Sequence, residues 1–327
     1  MTISRRGLLA AIGATAATNS IFSSAFANVP YPQNTVRVVV PFPPGGPTDI
    51  VGRVVSQRLT DLLKKPFVVD NRAGASGIIG SDIVAKAQPD GLTLLVNVSA
   101  QVINPYLYPK LPNDPFKDFA PITNLASTPI QLVVSADVPV KNVDELVAYV
   151  KAHPGKCSFA SSSAGAPGHL AGEVFKLATR SDAQHVPYKG SAPALTDVMS
   201  GQVTYMFDSM PSSIGFVKGG KLRALGVTGT SRAPSLPDVP TMAESGYPDM
   251  TMTSWYGFWA PARTPSEIIE RLQKTVAQSL LEPAVVKQLT SISAEPMGDS
   301  PSKFAEFCQS EARRYESIIK AANIKLS

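Results

Sequence analysis

Cysteine and histidine are both scarce in this chain of 327 residues, which holds only Cys157, Cys308 and 3 histidines. Two cysteines exclude a disulfide framework and any cysteine-based zinc or iron–sulfur site. Successive histidines lie 16 residues apart, at His153, His169 and His185, which is not a metal-ligand spacing on one helix. We therefore expect no metal and no cofactor. Pairing of the two cysteines stays open, because two separately buried thiols fit the sequence equally well.

Charged residues are also few, at 17% of the chain against ~25% in an average domain, and the net charge is +5. Lys and Arg form no long run, so no nucleic-acid partner is expected. The hydrophobic share of 44% and the 29 prolines exclude a disordered or coiled-coil chain. The length, close to twice a typical domain of ~150 residues, indicates two lobes.

Long apolar runs are missing as well, since no segment after residue 27 stays apolar for the ~18 residues of a membrane span. The first 27 residues are typical of an export signal. Arg5 and Arg6 precede an uncharged stretch that ends at Ala25-Phe26-Ala27. The start is twin-arginine-like, and the choice between the twin-arginine and general export routes stays open. Cleavage near Ala27 removes two arginines and no acid, which leaves a net charge of +3.

Apolar, β-branched runs alternate with helical patterns along the rest of the chain. In the first half the pattern predicts strands at 36–42, 67–69 and 92–98, with helices starting near 48 and 83. In the second half it predicts strands at 130–134, 158–160, 203–207 and 222–228, and helices at 143–150, 170–178, 194–199, 265–281 and 301–322. The βαβαβ order predicts an α/β fold of parallel sheets with right-handed crossovers.

We therefore predict two doubly wound lobes with a ligand cleft between them. After the signal segment 1–27, lobe 1 is expected over 28–125 and 254–327, and lobe 2 over 126–253. The proline-rich stretch 234–248 lies near the second boundary.

Two loops repeat one arrangement of buried strand, Gly/Ser/Pro loop and helix start, at 43–47 and at 161–168. In open α/β sheets the ligand crevice lies beyond the carboxyl ends of the strands. The free N–H groups of a first helical turn, with the positive end of the helix dipole, suit an anion there. Gly46 and Gly165 allow a close backbone approach. Ordinary βα turns use the same residue types, so both interpretations stay open.

Several longer motifs occur in a characteristic order: PFPPGGPTD at 41–49, DNRAGASG at 70–77, AQPDGLTLL at 87–95, HLAGE at 169–173, VPYKGSAPAL at 186–195, FD at 207–208 and LPDVPT at 236–241. In these motifs the chain resembles the Bug (TctC-type) periplasmic solute-binding receptors of tripartite tricarboxylate transporters over nearly its whole mature length. It departs from the family pattern at 161–168, which is richer in Ser and Ala, and at 97–101.

The resemblance implies a type II periplasmic-binding-protein-like receptor in the periplasm, without catalytic residues and expected as a monomer. It would close on a small organic carboxylate (a dicarboxylate, an amino acid or an aromatic acid) and deliver it to membrane transporter components. Carried over residue by residue, it nominates as ligand-binding residues Phe42, Pro44, Gly46, Asp49, Ala75, Gly77, Ser161, Ser162, Gly165, His169 and Asp208.

Other interpretations stay beside these assignments. Asp49 could cap its helix, and His169, expected neutral near a helix start, could donate to a neighbouring carbonyl. Asp208 in a carboxylate cleft would favour a ligand with an amino or hydroxyl group. A periplasmic sensor that feeds a signalling partner is the alternative function. A secreted hydrolase with Ser162, His169 and Asp208 as its triad is the second alternative.

Overall fold

The computed structural model describes residues 31–324, so the predicted signal segment lies outside the described residues. The fold below is that of the compact unit that begins at Asn34. Its first part is a parallel sheet, in the order β2-β1-β3, with helices between the strands. These strands are β1 (Val36–Val40), β2 (Phe67–Asn71) and β3 (Thr93–Val98), and the helices of this part are α1 (Pro47–Leu63), α2 (Ile78–Ala85) and α3 (Ala100–Leu107).

Strand β1 lies in the middle of this sheet, and all of its side chains except that of Arg37 are apolar. Four of its five residues are buried, as expected for a parallel strand covered on both sides. The strand ends at Val40, before Pro41, which has no backbone N–H to donate, and α1 starts with Pro47 in its first turn. The predicted βαβαβ unit is confirmed in this part of the chain.

The second part is another sheet, in which β5 pairs in parallel with β6 and β7. Its elements are β4 (Phe119–Ser135), α4 (Val143–Ala152), β5 (Ser158–Ser161), α5 (Pro167–Thr179), β6 (Gln184–Pro187), α6 (Ser191–Met199), β7 (Tyr205–Ser209), α7 (Met210–Lys218) and β8 (Leu222–Val227). The remaining elements are β9 (Thr253–Pro261), α8 (Ser266–Leu280), α9 (Pro283–Ser291), β10 (Glu295–Pro296) and α10 (Pro301–Ala321).

Two long antiparallel strands at the centre depart from the parallel pattern that the sequence predicts. β9 pairs antiparallel with β3 and β4, and the later part of β4 pairs antiparallel with β7 and β8. β4 therefore passes from the first sheet into the second. Two doubly wound sheets with helices on their faces are observed, whereas the limits of the lobes at 126 and 254 stay a prediction.

Aromatic side chains fill the core beside β9. The Trp259 ring lies 5.1 Å from that of Phe304 on α10, and the Trp255 ring lies 5.9 Å from it. Cys157 and Cys308 are both buried, free thiols. Among residues 31–324, no helix combines the length and apolar character needed to cross a membrane.

Candidate functional site

Four helices begin around one pocket between the two sheets. The first residues of α1, α5 and α6, together with Ser209 just before α7, line this first pocket. The N–H groups of a first helical turn have no partner inside the helix, and the helix dipole makes that end positive. The first pocket is lined by Phe42, Pro43, Pro44, Gly46, Pro47, Thr48, Val98, Ser162, Ala166, Pro167, Gly168, Gly190, Ser191, Ala192, Pro193, Phe207, Asp208 and Ser209.

A second pocket adjoins the first and shares Phe42, Pro43, Ser162 and Gly190 with it. It is bordered by loop 73–77, which follows β2, by 162–164, which follows β5, and by 187–190. No Lys or Arg lines the first pocket, and Lys189 is the cation that lines the second. The two pockets share lining residues and form a continuous cleft, lined by backbone and hydroxyl groups.

Seven of the eleven predicted ligand-binding residues line this cleft, and four do not. The lining residues are Phe42, Pro44, Gly46, Ala75, Gly77, Ser162 and Asp208. The others, which lie outside both pockets, are Asp49, Ser161, Gly165 and His169. The assignment of all eleven residues as ligand contacts stays a prediction.

Asp49 holds the loop between β1 and α1 in place. Its Oδ2 accepts hydrogen bonds from the Gly45 amide and from Arg53 Nε, each at 2.9 Å, and its Oδ1 accepts one from Asn71 Nδ2. Asn71 Nδ2 also donates to the Phe42 carbonyl at 3.0 Å. Burial alone would raise the pKa of Asp49, but the hydrogen bonds and the charge of Arg53 keep it below its usual value. Asp49 therefore shapes the loop that carries Gly46.

His169 holds the facing loop in a similar way. Its Nδ1 accepts a hydrogen bond from the Gly165 amide at 3.0 Å, and its ring stacks on that of His185, with 3.8 Å between the centroids. Burial lowers the pKa of His169 to about 4 and that of His185 to about 3. Glu173 Oε1 lies 3.8 Å from His169 Nε2, too far for a hydrogen bond. His169 is therefore neutral at pH 7, as the sequence predicts.

Ser161 belongs to the same buried cluster. Its hydroxyl donates to the Ser163 carbonyl at 2.9 Å, so the 2.7 Å contact with His185 Nε2 is one in which the imidazole donates. Ser161 is fully buried, with 0% exposure. Ser161, His169 and His185 thus hold the loop after β5 in place without lining either pocket.

Asp208 is a carboxylate at the end of β7 with 3% exposure, and it faces the first pocket. Ser191 Oγ donates to its Oδ1 at 2.8 Å, and Ser212 Oγ donates to its Oδ2. Burial raises the pKa of Asp208, although these hydrogen bonds act in the opposite direction. No ion pair among residues 31–324 includes it; the first turns of α6 and α7 supply the nearby positive ends of dipoles.

The hydrolase triad is not assembled. Asp208 is bound to Ser191 and Ser212, and His169 Nδ1 is bound to a backbone amide. Within residues 31–324, the His169 ring stacks on the rings of Phe159 and His185. Among residues 31–324, no group of His, Cys, Asp and Glu side chains has a geometry that could hold a metal ion.

Two glycines allow the helices and loops to approach so closely. A Cβ on Gly168 would overlap the Phe207 carbonyl oxygen, so the start of α5 can sit against the end of β7 only without a side chain. Gly190 has a φ of +117°, and a Cβ there would lie 3.1 Å from Pro43 Cγ, on the facing loop. Both glycines therefore set the width of the cleft.

Sequence reasoning missed several cleft residues. Ser191, Ser209 and Thr48 line the first pocket, and Ser76 lines the second. Gly190 and Ser191, at the start of α6, belong to a motif quoted above, so the position of Ser191 close to the predicted helix 194–199 was a usable signal. The proximity of Ser191 to Asp208 was not, because 17 residues separate them.

Comparison with known proteins agrees with this architecture. The family model described as "Tripartite tricarboxylate transporter family receptor" matches residues 51–324. Protein BugT of Bordetella pertussis is 36% identical over 321 residues, which is 98% of each chain. An R. palustris protein solved with adipate is 37% identical, with a TM-score of 0.88 over 90% of this chain and 99% of that one.

MatC from Rhodopseudomonas palustris, solved with bound malate, is 33% identical, with a TM-score of 0.82 over 88% of this chain and all of that one (100%). The resemblance and the two-lobed α/β fold that the sequence predicts are thereby confirmed. The chain belongs to the Bug (TctC-type) family of tripartite tricarboxylate transporter receptors, which are periplasmic solute-binding proteins.

Proposed function

We propose that this receptor captures a small organic carboxylate in the cleft and delivers it to the membrane components of a tripartite transporter. The observation that carries the proposal is the convergence of four helix starts on a pocket whose lining has no Lys or Arg. A carboxylate placed there accepts N–H donors from the helix ends, which bind anions without a formal positive charge. The hydroxyls of Thr48 and Ser162 add donors at the same place.

The ligand's carboxylate contacts the starts of α1 and α5, and Phe42 packs on its carbon skeleton. The starts of α6 and α7 are already engaged with Asp208 through Ser191 and Ser212. Asp208 faces the first pocket and favours a ligand that presents a hydroxyl or amino hydrogen to it. A hydroxy or amino dicarboxylate offers both a carboxylate for the starts of α1 and α5 and a hydrogen-bond donor for Asp208.

Malate and succinate form a matched pair for this proposal, since they differ by one hydroxyl group. We expect malate and aspartate to raise the melting temperature more than succinate or adipate in a thermal-shift screen, and calorimetry to give a lower Kd for malate. In Asp208→Asn the preference for malate over succinate should shrink to less than three-fold. Equal affinities for the pair in the parent protein would contradict the role of Asp208.

Three further points belong to the same proposal. During export the signal segment 1–27 is cleaved off near Ala27. The mature protein acts as a monomer, and it carries out no catalysis. Mass spectrometry of the exported protein locates its first residue, and light scattering gives its oligomeric state. Recovery of an altered acid after incubation would contradict the receptor role and favour a hydrolase. Capture of a sensor protein in place of transporter components would favour the signalling role.

A further inference from the structure

The Ser76 hydroxyl joins the two loops that face each other across the cleft. It donates a hydrogen bond of 2.6 Å to the carbonyl of Ala164. Ser76 belongs to the loop after β2, and Ala164 to the loop after β5, so the bond connects the two sheets. A serine hydroxyl has one hydrogen, so the 2.7 Å contact with Tyr108 is one in which the tyrosine donates.

The backbone around Ser76 adopts an unfavourable conformation for such residues. Ala75 has a φ of +45° and Ser76 a φ of +53°, between Gly74 and Gly77, whose φ values are also positive. Left-handed conformations cost non-glycine residues free energy and persist where their surroundings impose them. Here Asn104 Nδ2 donates to the Ser76 carbonyl at 3.0 Å, which ties this backbone to α3. The strained turn therefore aims the Ser76 side chain at the facing loop.

The acceptor is held as firmly as the donor. Ala164 C=O and Gly165 N–H belong to one peptide group, whose carbonyl accepts from Ser76 while its N–H donates to His169 Nδ1. A neutral His169 with Nδ1 unprotonated fixes the plane of this peptide. A Cβ on Gly165 would overlap Leu107, so the same peptide also packs closely against α3.

We infer that Ser76 is a positioning residue that latches the closed form of the receptor without needing to touch the ligand. The inference rests on the proposed function, because a latch has a role only in a cleft that opens and closes. Its bond links protein to protein, so it shifts the equilibrium between open and closed forms for any ligand. The apparent Kd is inversely proportional to the closed fraction, and the ligand's own contacts remain unchanged.

Two spin labels can measure this equilibrium in the ligand-free protein. Leu177 on α5 and Leu281 after α8 are 55% and 81% exposed, and α5 packs on β5 and β7 while α8 packs on β4 and α1. Both native cysteines are buried, which favours selective labelling of Leu177→Cys and Leu281→Cys. Pulsed electron paramagnetic resonance then gives the populations of the short and long distances.

In this labelled protein, Ser76→Ala should raise the open-to-closed ratio about five-fold, the effect of one lost hydrogen bond. Ser76→Gly should open the cleft at least as much while raising the melting temperature, because it also removes the backbone strain. Ser310→Ala, which loses an exposed hydroxyl-to-carbonyl bond far along α10, is the matched control. It should leave the ratio unchanged.

Distance distributions of Ser76→Ala and Ser76→Gly that coincide with that of the parent would overturn the latch. So would an equal change in Ser310→Ala. If Ser76→Ala does not fold, Ser76→Gly alone decides, since glycine fits the left-handed turn. The experiment uses no ligand, so an error in the proposed ligand class leaves its result unaffected and is recognised separately in the thermal-shift screen.

Discussion

At the scale of single residues, the first pocket contains one buried carboxylate, that of Asp208, among several N–H and O–H donors. Asp208 accepts hydrogen bonds from two hydroxyl groups, and the starts of α1 and α5, whose first amides have no partner inside the helix, face the same pocket. A lysine or arginine in this pocket would form an ion pair with Asp208, and its charge would then attract an anionic ligand less strongly. The backbone therefore supplies the positive potential that charged side chains usually supply.

At this scale, Gly46→Leu tests whether the backbone at the start of α1 binds the carboxylate. A Cβ on Gly46 meets only the Pro43 carbonyl oxygen at 3.4 Å, an ordinary contact, so the protein should fold with a melting temperature near that of the parent. The longer side chain enters the first pocket and should weaken carboxylate binding at least 100-fold, about 2.7 kcal/mol. Calorimetric titration with malate measures the effect.

The control is Gly215→Leu on α7, where a Cβ has open space around it. This variant should bind malate with the same Kd as the parent protein. Undiminished affinity in Gly46→Leu would show that the ligand does not approach this backbone.

At the level of whole elements, close packing of α5 against β7 decides where the helix start lies. Gly168 is in the first turn of α5, directly against the Phe207 carbonyl. A methyl group there forces the helix away from the strand that carries Asp208. Gly168 therefore affects both the position of the start of α5 and the stability of the folded protein.

Gly168→Ala should therefore lower the free energy of unfolding by about 1–3 kcal/mol, the range for overpacking a close contact. Gly215→Ala, also helical but with open space around the new methyl, should instead raise it by up to ~1 kcal/mol. Urea denaturation of both variants gives the two values. A stability loss as large in Gly215→Ala would mean that helical glycines, and not this contact, set the result.

For the whole molecule, the stacked histidines predict how stability depends on pH. Burial holds the pKa of His169 at about 4 and that of His185 at about 3, below the ordinary value of 6.5. The unfolded chain therefore binds more protons in this range. The histidines' contribution is complete above pH 6.5 and is lost as the pH falls towards these lower values.

Between pH 7 and pH 5 we expect His169 to account for a loss on the order of 1–2 kcal/mol in the free energy of unfolding. Urea denaturation at several pH values should show a shallower pH dependence in His169→Gln, whose amide oxygen can still accept the Gly165 N–H. His153→Gln, which removes the histidine outside the stacked pair, serves as control. Parallel curves for the parent and His169→Gln would contradict the prediction.

Several features followed from local sequence because their causes are local. The VRVVV run of β1 is apolar except for Arg37, and Pro41 follows its last residue before the proline- and glycine-rich loop that leads to α1. The helix α3, in contrast, was not predicted. It has only eight residues with Pro105 among them, and most of its side chains are buried, so no polar face marks its period. Part of β4 was predicted as a strand at 130–134, but the antiparallel direction of β4 and β9 was not predicted, because strand direction depends on long-range pairing.

The sequence by itself determined the family, the alternation of strands and helices, and the two loops that border the cleft. Only the tertiary structure decided what individual residues do there. It engaged Asp49 and His169 in bracing the loops, gave Asp208 its hydroxyl partners, and set Ser76 against Ala164, 88 residues away. Such roles depend on distances between segments far apart in the chain, and local patterns of polarity contain no information about those distances.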